Sequence, residues 1–301
     1  MGAGLLVTSI SPARFWSEAL GSTNPPPILS EPLRHSFCPM KTVVYQSYRT
    51  SRVPAWLGTC MQTVKSWAQI NDFEYRFFDD KFFDYAPEWF RQRAKNQICP
   101  VTDLARLIVA KEFLSKGFER TIWIDADVLV FAPSLLKIDV KADFALCHET
   151  WIFNGPSGEL AARSRVNNSI AVFTKDSIHL DFFIDACLRI AYQKKSIGKL
   201  EVGTAFFSQL RAILPFPLLM NVGIFGPAIV ADIAAEGGPY LKEYGRHLKS
   251  SIACANFCAS LAVANDHQAA QLQNMYEAAV TKCLETQGAA INRFVNVPPS
   301  A

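Results

Sequence analysis

The sequence lacks several features that mark common classes of protein. No apolar run approaches the roughly 18 residues of a membrane-spanning helix, and no basic residue precedes the apolar start Met1 to Ile10. We therefore expect neither a transmembrane segment nor a secretory signal. Charge of one sign is not in excess either, because 30 basic and 27 acidic residues leave a net charge of +3. That balance argues against nucleic acid as the main partner.

Paired cysteines are also missing. The eight cysteines are scattered over 301 residues, and none of them form a C-x-x-C pair. In a chain of this length the pattern indicates reduced, mostly buried thiols in a cytosolic protein. We expect a cytoplasmic location, with peripheral association with a membrane left open.

Proline is concentrated at the start of the chain. Six of the 17 prolines lie in residues 1–39, which show no sustained hydrophobic period. This composition predicts a poorly ordered extension. Residues 40–301 are predicted to form the folded domain, because 50% hydrophobic residues are ample for a large core.

Predicted strands and helices alternate through the first half of this domain. The strands are expected at 42–46, 73–78 and 120–124, and the helices at 55–70, 87–95 and 102–116. This alternation predicts an α/β fold with a mostly parallel sheet flanked by helices. Further strands are expected at 144–147 and 169–173, and a mostly helical region after 227 that includes 253–264 and 266–283.

Two carboxylates lie in the apolar segment I-W-I-D-A-D-V-L-V-F, at Asp125 and Asp127. Side chains at i and i+2 of an extended strand point to one face. Ionised carboxylates in an apolar setting are costly unless a cation meets them, and a hard divalent cation prefers oxygen ligands. Ligands of parallel sheets bind beyond the carboxyl ends of the strands, which is where these residues are expected. The segment therefore predicts a divalent-cation site.

Asp103 and Arg106 share one face of the predicted helix 102–116, near its amino end. Thr102 is the expected N-cap of this helix, and Gly117 the expected stop. An acid beside a guanidinium suits a polyhydroxylated, phosphorylated ligand. The alternative is a surface ion pair, which contributes about 0.3–0.5 kcal/mol.

The segments V-T-D-L-A-R-L-I-V-A-K-E-F (101–113) and T-I-W-I-D-A-D-V-L-V-F (121–131) together resemble the sugar-binding region of DxD glycosyltransferases. The pattern is similar to that of the capsule-type and mannosyltransferase-like sugar transferases. The opening V-V-Y-Q-S-Y-R-T (43–50) also resembles the start of that family. A single D-x-D is common by chance, so the resemblance rests on the combination of helix, apolar strand and motif across residues 41–133.

The resemblance implies a GT-A fold, a Rossmann-like sheet with a helix-rich C-terminal part. Residues 40–133 would form the nucleotide-sugar-binding half, and residues 134–301 the acceptor-side half with a helical C-terminal region. It also implies metal-dependent transfer of a sugar from a UDP- or GDP-sugar to a glycan, a lipid-linked sugar or a protein, as in polysaccharide biosynthesis. The expected outcome is retention of configuration.

The resemblance further assigns roles to residues on the donor side. Tyr45 and Gln46, within 43–49, would border the base and ribose. Asp103 and Arg106 would hold the part of the donor that joins sugar and ribose.

The resemblance also assigns the metal. Asp125 and Asp127 would carry catalysis. Asp125 would contact ribose or sugar hydroxyls beside the metal, and Asp127 would ligate Mn²⁺ or Mg²⁺. The expected third metal ligand is His247, with His267 and His148 as alternatives. Asn168, beside Asn167, would face the donor sugar, although asparagines at a strand entry are also common turn formers.

Two other functions compete with sugar transfer. An apolar strand followed by D-x-D also opens haloacid-dehalogenase-like phosphohydrolases, in which the first Asp is the nucleophile. Here the motif follows two strand–helix units and Val130 occupies the third position after Asp127, which disfavours that class. The second competitor is a non-catalytic nucleotide-sugar-binding or scaffold protein on the same fold.

Overall fold

The computed structural model describes residues 40–95, 97–262 and 269–295. The chain divides into two units, Met1–Pro39 and Met40–Ala301. The predicted N-terminal extension, residues 1–39, lies outside the described residues. Within the described residues, none of the helices combines the length and the apolar character needed to cross a membrane.

The strands and helices of the second unit alternate in its first half, as predicted. The strands are β1 (Thr42–Ser47), β2 (Glu74–Phe78), β3 (Arg120–Ile124), β4 (Val128–Val130), β5 (Phe144–Asn154), β6 (Leu160–Thr174), β7 (Leu218–Leu219), β8 (Val222–Ile224) and β9 (Cys254–Asn256). The helices are α1 (Ala55–Ile70), α2 (Glu88–Ala94), α3 (Ile98–Ser115), α4 (Ile178–Tyr192), α5 (Thr204–Arg211), α6 (Pro227–Ala234), α7 (Pro239–His247), α8 (Ala269–Glu285) and α9 (Ala289–Asn292). Short 3₁₀ helices cover Asp80–Tyr85 and Ala259–Leu261.

A six-stranded sheet forms the centre of this unit, in the order β2-β1-β3-β6-β5-β7. The pairs β1–β2, β1–β3 and β5–β7 are parallel, whereas β6 runs antiparallel to both of its neighbours. A smaller sheet has the order β4-β9-β8. The predicted α/β fold, with a mostly parallel sheet flanked by helices, is confirmed.

Both faces of the central sheet are covered, because its strands carry apolar side chains on each side. In β1, Val44 belongs to the hydrophobic core that includes α1, α6 and α8, and Val43 and Tyr45 belong to the core that includes α3 and α4. All three side chains are fully buried. Such near-continuous apolar strands are typical of sheets covered on both faces.

Helix α3 begins earlier than predicted. It starts at Ile98, with Pro100 in the first turn, where proline loses no intrahelical hydrogen bond. The prediction of Thr102 as N-cap is therefore wrong, and its hydroxyl instead donates to the carbonyl oxygen of Ile98. The predicted stop is confirmed, because α3 ends before Gly117, which has a left-handed φ of 91°.

The antiparallel hairpin of β5 and β6 is much longer than predicted. The expected strands at 144–147 and 169–173 extend until Asn154 pairs with Leu160. The predicted loop at 154–158 forms the hairpin turn, in which the N–H of Gly155 donates to the carbonyl oxygen of Glu159.

The helix predicted at 253–264 is wrong. Cys254–Asn256 is the central strand β9 of the small sheet, between β4 and β8, and its residues are buried. A short apolar run of this kind fits a buried strand and a buried helix equally well, and only the pairing partners decide. This correction matters for function, because β9 ends at the two aspartates.

The described cysteines agree with the expectation of free thiols. Cys60, Cys99, Cys147, Cys187, Cys254, Cys258 and Cys283 are all free, and five of them are buried.

Candidate active site

Asp125 and Asp127 lie in a turn between the two sheets, directly after β3. The N–H of Val128 donates to the carbonyl oxygen of Asp125 at 3.1 Å and closes the turn. Both carboxylates meet the side-chain amide of Asn256, whose Nδ2 is 2.7 Å from Oδ1 of Asp127 and 3.4 Å from Oδ2 of Asp125. The acids therefore converge as predicted, although a turn rather than an extended strand brings them together.

The backbone of this turn is fixed on three sides. The amide of Gln46, at the end of β1, donates to the carbonyl oxygen of Asp125 at 3.1 Å. The N–H of Asp125 donates to the carbonyl oxygen of Ser169 at 2.7 Å. The N–H of Phe257 donates to the carbonyl oxygen of Asp127 at 2.9 Å. These bonds tie the turn to β1, β6 and the end of β9, so the two carboxylates sit on a rigid base.

Arg106 of α3 is the cation of the site. Its guanidinium is 3.1 Å from Oδ1 of Asp103 and 3.1 Å from Oδ1 of Asp125. It also donates to the carbonyl oxygen of Asn168 at 2.6 Å and lies over the ring of Trp123. Only 5% of Arg106 is exposed, so the alternative of a surface ion pair is wrong. One buried arginine therefore pairs with two carboxylates.

Asp103 is the buried acid of the cluster that it forms with Arg106, Asp125 and Asn168. Its Oδ1 accepts a hydrogen bond from the amide of Asn168 at 2.9 Å. Gly203, which precedes α5, packs against its other oxygen so closely that a Cβ at position 203 would lie 2.3 Å from Oδ2. Glycine is therefore the residue that lets α5 begin here.

Asp127 has different partners. Its Oδ1 accepts from Asn256, and its Oδ2 accepts from the N–H of Ala259 at 2.7 Å. Cys258, with a left-handed φ of 49°, makes the bend that presents this N–H, and its own N–H donates to Oδ1 of Asn256. Within the described residues, Asp127 makes no ion pair. Its charge is met by neutral donors alone.

The pKa values follow from this arrangement. Burial raises the pKa of Asp103 to about 6, against the opposing effects of Arg106 and Asn168. Burial also raises the pKa of Asp125, which Arg106 and the indole N–H of Trp123 oppose. Burial, and then the charge of Asp125, raise the pKa of Asp127 to about 7. Three acids share one arginine, so the cluster is short of positive charge, most of all at Asp127.

The donor set fits a hard divalent cation. Asp125 remains partly open, with 26% of its side chain exposed, and among the described residues its Oδ2 has a single polar contact, 3.4 Å from the amide of Asn256. Among the residues described, no three histidine, cysteine or acidic side chains gather into a group that could enclose a metal. Mg²⁺ and Mn²⁺ do not need such a cage, because Mg²⁺ in particular is held by one or two carboxylates with water and phosphate oxygens. Asp125 and Asp127 would hold it here, with water and phosphate oxygens completing its coordination.

Two predicted nucleotide contacts are corrected. Tyr45 is fully buried, and its hydroxyl donates to the carbonyl oxygen of Arg106 at 2.6 Å. Gln46 is buried as well, with its amide on Asp125 and its Oε1 bonded to the hydroxyl of Tyr75. Both residues pack inside the protein against Arg106 and Asp125, and neither has exposed surface that a ligand could contact.

The remaining predicted residues divide into two groups. Asn168 joins the cluster through Asp103 and Arg106, while Asn167 bonds to Glu149 instead. The structure does not bring His247 to the aspartates. Its ring lies on the exposed end of α7 and contacts Glu243. His267 lies outside the described residues.

Sequence reasoning missed Asn256 and Trp123. Asn256 was hidden because its segment was predicted to be helical, although it is a polar residue within an apolar run, which indicates a special partner. Trp123 is two residues before Asp125 and its indole N–H donates to Oδ1 of Asp125 at 2.6 Å. The i, i+2 spacing along β3 could have revealed that contact.

No family model and no curated protein matches the chain. Among solved structures, it is similar to a glycosyltransferase involved in the glycosylation of the major capsid of PBCV-1, with 12% identity, 79% of this chain and 98% of that chain covered, and a TM-score of 0.42. It is also similar to the PaToxG glycosyltransferase, with 12% identity, 86% and 88% covered, and a TM-score of 0.37. For A197 from STIV the values are 13%, 57% and 78%, and 0.26. These similarities are remote, so the function of the chain has to be inferred from the residues of the site.

Proposed function

We propose that the chain is a glycosyltransferase of the GT-A type that transfers a sugar from a nucleotide-sugar donor with the help of Mn²⁺ or Mg²⁺. The observation that carries this proposal is the convergence of Asp125 and Asp127 on one amide, Asn256, with an arginine on Asp125 and, within the part of the chain that the structure describes, none on Asp127. A site with two negative charges at its mouth and too little positive charge favours a divalent cation.

The position of the site in the sheet supports a nucleotide ligand. β1 and β3 are parallel, so their carboxyl ends meet at one edge, where Gln46 already touches the backbone of Asp125. Ligands of α/β sheets bind in the crevice outside these ends. Tyr48 and Arg49 follow β1 at this edge and are partly or fully exposed. Their side chains, with the guanidinium of Arg49 above the ring of Tyr48, are better candidates for the base than Tyr45 and Gln46.

The chemistry of sugar transfer matches this arrangement. Cleavage of the bond between sugar and diphosphate leaves a nucleoside diphosphate, and a bound divalent cation stabilises its growing negative charge as a Lewis acid. Asp125 and Asp127 would hold that cation, and Asn256 and Ala259 would fix the direction of Asp127. Arg106 would keep Asp103 and Asp125 ionised and in place. Asp103 and Asn168, buried behind Asp125, would position the donor side of the site.

The finer features of the reaction are part of the same proposal. The donor would be a UDP- or GDP-sugar, and the acceptor a glycan, a lipid-linked sugar or a protein. Retention of configuration would follow the family that the sequence resembles. Nuclear magnetic resonance of the product anomer measures this outcome directly.

Calorimetry with UDP and GDP, each with and without Mn²⁺, tests the proposal. We expect binding that depends on the metal, and loss of that binding and of donor-sugar hydrolysis in Asp127→Ala. Asp84→Ala is a matched control, because it removes an exposed acid whose partner is Arg91. Full activity of Asp127→Ala, or nucleotide binding that is indifferent to metal in the wild type, would refute the assignment.

A further inference from the structure

A cavity of about 360 Å³ lies beside the long hairpin, between β5, β6, the end of α5 and the segment that leads to β7. Its polar lining consists of three cationic side chains, one imidazole and two hydroxyls, from Arg165, Arg211, Lys249, His148, Ser164 and Ser208. We propose that this cavity binds the phosphate group of a phosphorylated ligand. A cavity of this volume accommodates a phosphate with a small attached group.

The lining of the cavity is positively charged. Among the described residues that line the cavity, none is acidic. The remaining lining residues are apolar: Val166, Phe216, Pro217, Leu218 and Met220. Glu149, outside the lining, offsets the charge of Arg165, whereas Arg211 and Lys249 add further positive charge that attracts a multivalent anion.

Two of these cations, Arg211 and Lys249, make no ion pair within the described residues. Arg211 donates to the carbonyl oxygen of Phe216 and lies over its ring, 5.1 Å from the centroid, and it makes no ion pair with any described residue. Lys249 is exposed and has no ion pair within the described part of the chain. Arg211 and Lys249 therefore retain donors for a ligand.

Arg165 adds a third cation with capacity to spare. Its Nε is buried and makes no hydrogen bond within the described residues. It pairs with Oε1 of Glu149 at 3.6 Å, and Oε2 of the same acid accepts from the amide of Asn167 at 2.8 Å. With 25% of its side chain exposed, Arg165 can still present the rest of its guanidinium to a ligand in the cavity.

His148 complements the cations. Burial lowers its pKa, and the charges of Lys249 and Arg211 lower it further. The ring is therefore neutral near neutral pH and can donate one N–H to a phosphate oxygen.

This cavity is separate from the aspartate site. Helix α5 runs between them, from Gly203 against Asp103 to Arg211 at the cavity. Its eight residues span about 12 Å, since an α-helix rises 1.5 Å per residue. The phosphate site does not need a metal, and it stands whether or not the chain transfers sugars.

Calorimetry with inorganic pyrophosphate in the presence of EDTA tests the proposal, because chelation removes any metal-dependent binding at the aspartates. We expect the wild type to bind, and Lys249→Ala to bind about tenfold more weakly, as when one charge-assisted hydrogen bond is lost. Arg211→Gln should weaken binding similarly, provided that circular dichroism shows the fold intact. Lys65→Ala is the matched control, because it removes an equally exposed lysine on α1 and should bind like the wild type.

A second readout follows the imidazole of His148 by nuclear magnetic resonance, with its signal assigned from His148→Gln. Bound pyrophosphate should raise the pKa of His148, because the anion offsets Lys249 and Arg211. Vesicles containing phosphatidylglycerol form a parallel arm: binding to pyrophosphate identifies a soluble phosphate compound, and binding to the vesicles alone identifies a lipid phosphate. The proposal is overturned if neither probe binds, or if Lys65→Ala weakens binding as much as Lys249→Ala.

Discussion

The two aspartates of the D-A-D turn are one residue apart, yet their surroundings are opposite. Asp125 faces α3, where Arg106 and the indole N–H of Trp123 both meet its Oδ1. Asp127 faces the small sheet, where the amide of Asn256 and the N–H of Ala259 meet its carboxylate. One side of the site is supplied with a positive charge by the protein, and the other is not.

The Arg106 side therefore stabilises the folded site, whereas the Asn256 side is available to bind a cation. On the Arg106 side the buried Asp103 and the partly buried Asp125 are paired, as charges removed from water require. On the Asn256 side neutral donors fix the direction of Asp127 without cancelling its charge. A carboxylate that is oriented but not neutralised is ready for a cation from solution. Substitutions on each side of the turn test this difference.

Replacing Arg106 should have the largest effect. Arg106→Ala leaves the buried Asp103 and the partly buried Asp125 without their cation, and breaking a buried ion pair such as Arg106–Asp103 costs about 3–5 kcal/mol of the free energy of unfolding. Urea denaturation measures this loss. Donor binding should weaken as well, because Asp125 loses the partner that orients it.

Arg91→Ala is the control for Arg106→Ala. Arg91 pairs with Asp84 at the surface, with 38% and 67% of the two side chains exposed. Surface pairs contribute about 0–1 kcal/mol, so this variant should remain close to the wild type. Equal stabilities of the two variants would mean that Arg106 does not neutralise the buried acids.

Asn256→Ala acts on the other side of the site. It removes the amide that bridges the two carboxylates and the acceptor that holds the N–H of Cys258. Hydrogen bonds to charged groups contribute about 1.5–3 kcal/mol, and we expect a loss of stability in that range. Mn²⁺ should restore part of it, because a bound cation takes the place of the lost donor between the two acids. Asn221→Ala, which removes an exposed amide bonded to Lys137, should change little, and the same loss in both variants would contradict the role of Asn256.

Gly203→Ala tests the packing behind the Arg106 side. The added Cβ would lie 2.3 Å from Oδ2 of Asp103, and overpacking of this kind costs about 1–3 kcal/mol. In Gly58→Ala, within α1, the Cβ meets no atom within 4 Å, so that variant should gain about 0.5–1 kcal/mol from helix propensity. Thermal unfolding of the two variants gives opposite signs if Asp103 is held as tightly as the structure indicates.

The part of the fold that local pattern decides could be predicted from the sequence. Helix α1 has the predicted bounds, and β3 ends before Asp125 as expected, because apolar spacing and flanking residues specify both. The D-x-x-R helix and the D-x-D turn also meet as expected, since both lie at the same edge of the sheet.

The small sheet could not be predicted, because its strands gain their identity from distant partners. β4, β8 and β9 have three residues each, too few for a period to be recognised. Asn256 lies in one of them, so its contact with the aspartates depends on tertiary pairing. The burial of Tyr45 and Gln46 was missed for a similar reason, since a strand covered on both faces leaves no side for a ligand.

The smallest expected effect is a dependence of the metal response on pH. The pKa of Asp127 is raised from 3.8 to about 7, so the folded protein holds this proton more tightly than the unfolded chain. The free energy of unfolding contributed by this group therefore falls as the pH rises from about 4 to about 7, and is constant above that range. A cation must displace the proton, so stabilisation by Mn²⁺ should increase by about 1 kcal/mol between about pH 6 and about pH 8. Thermal unfolding with and without Mn²⁺ measures the difference, and Asp127→Asn should remove it. A metal response that is equal at both pH values, or that survives in Asp127→Asn, would mean that the cation binds elsewhere and that Asp127 is not its ligand.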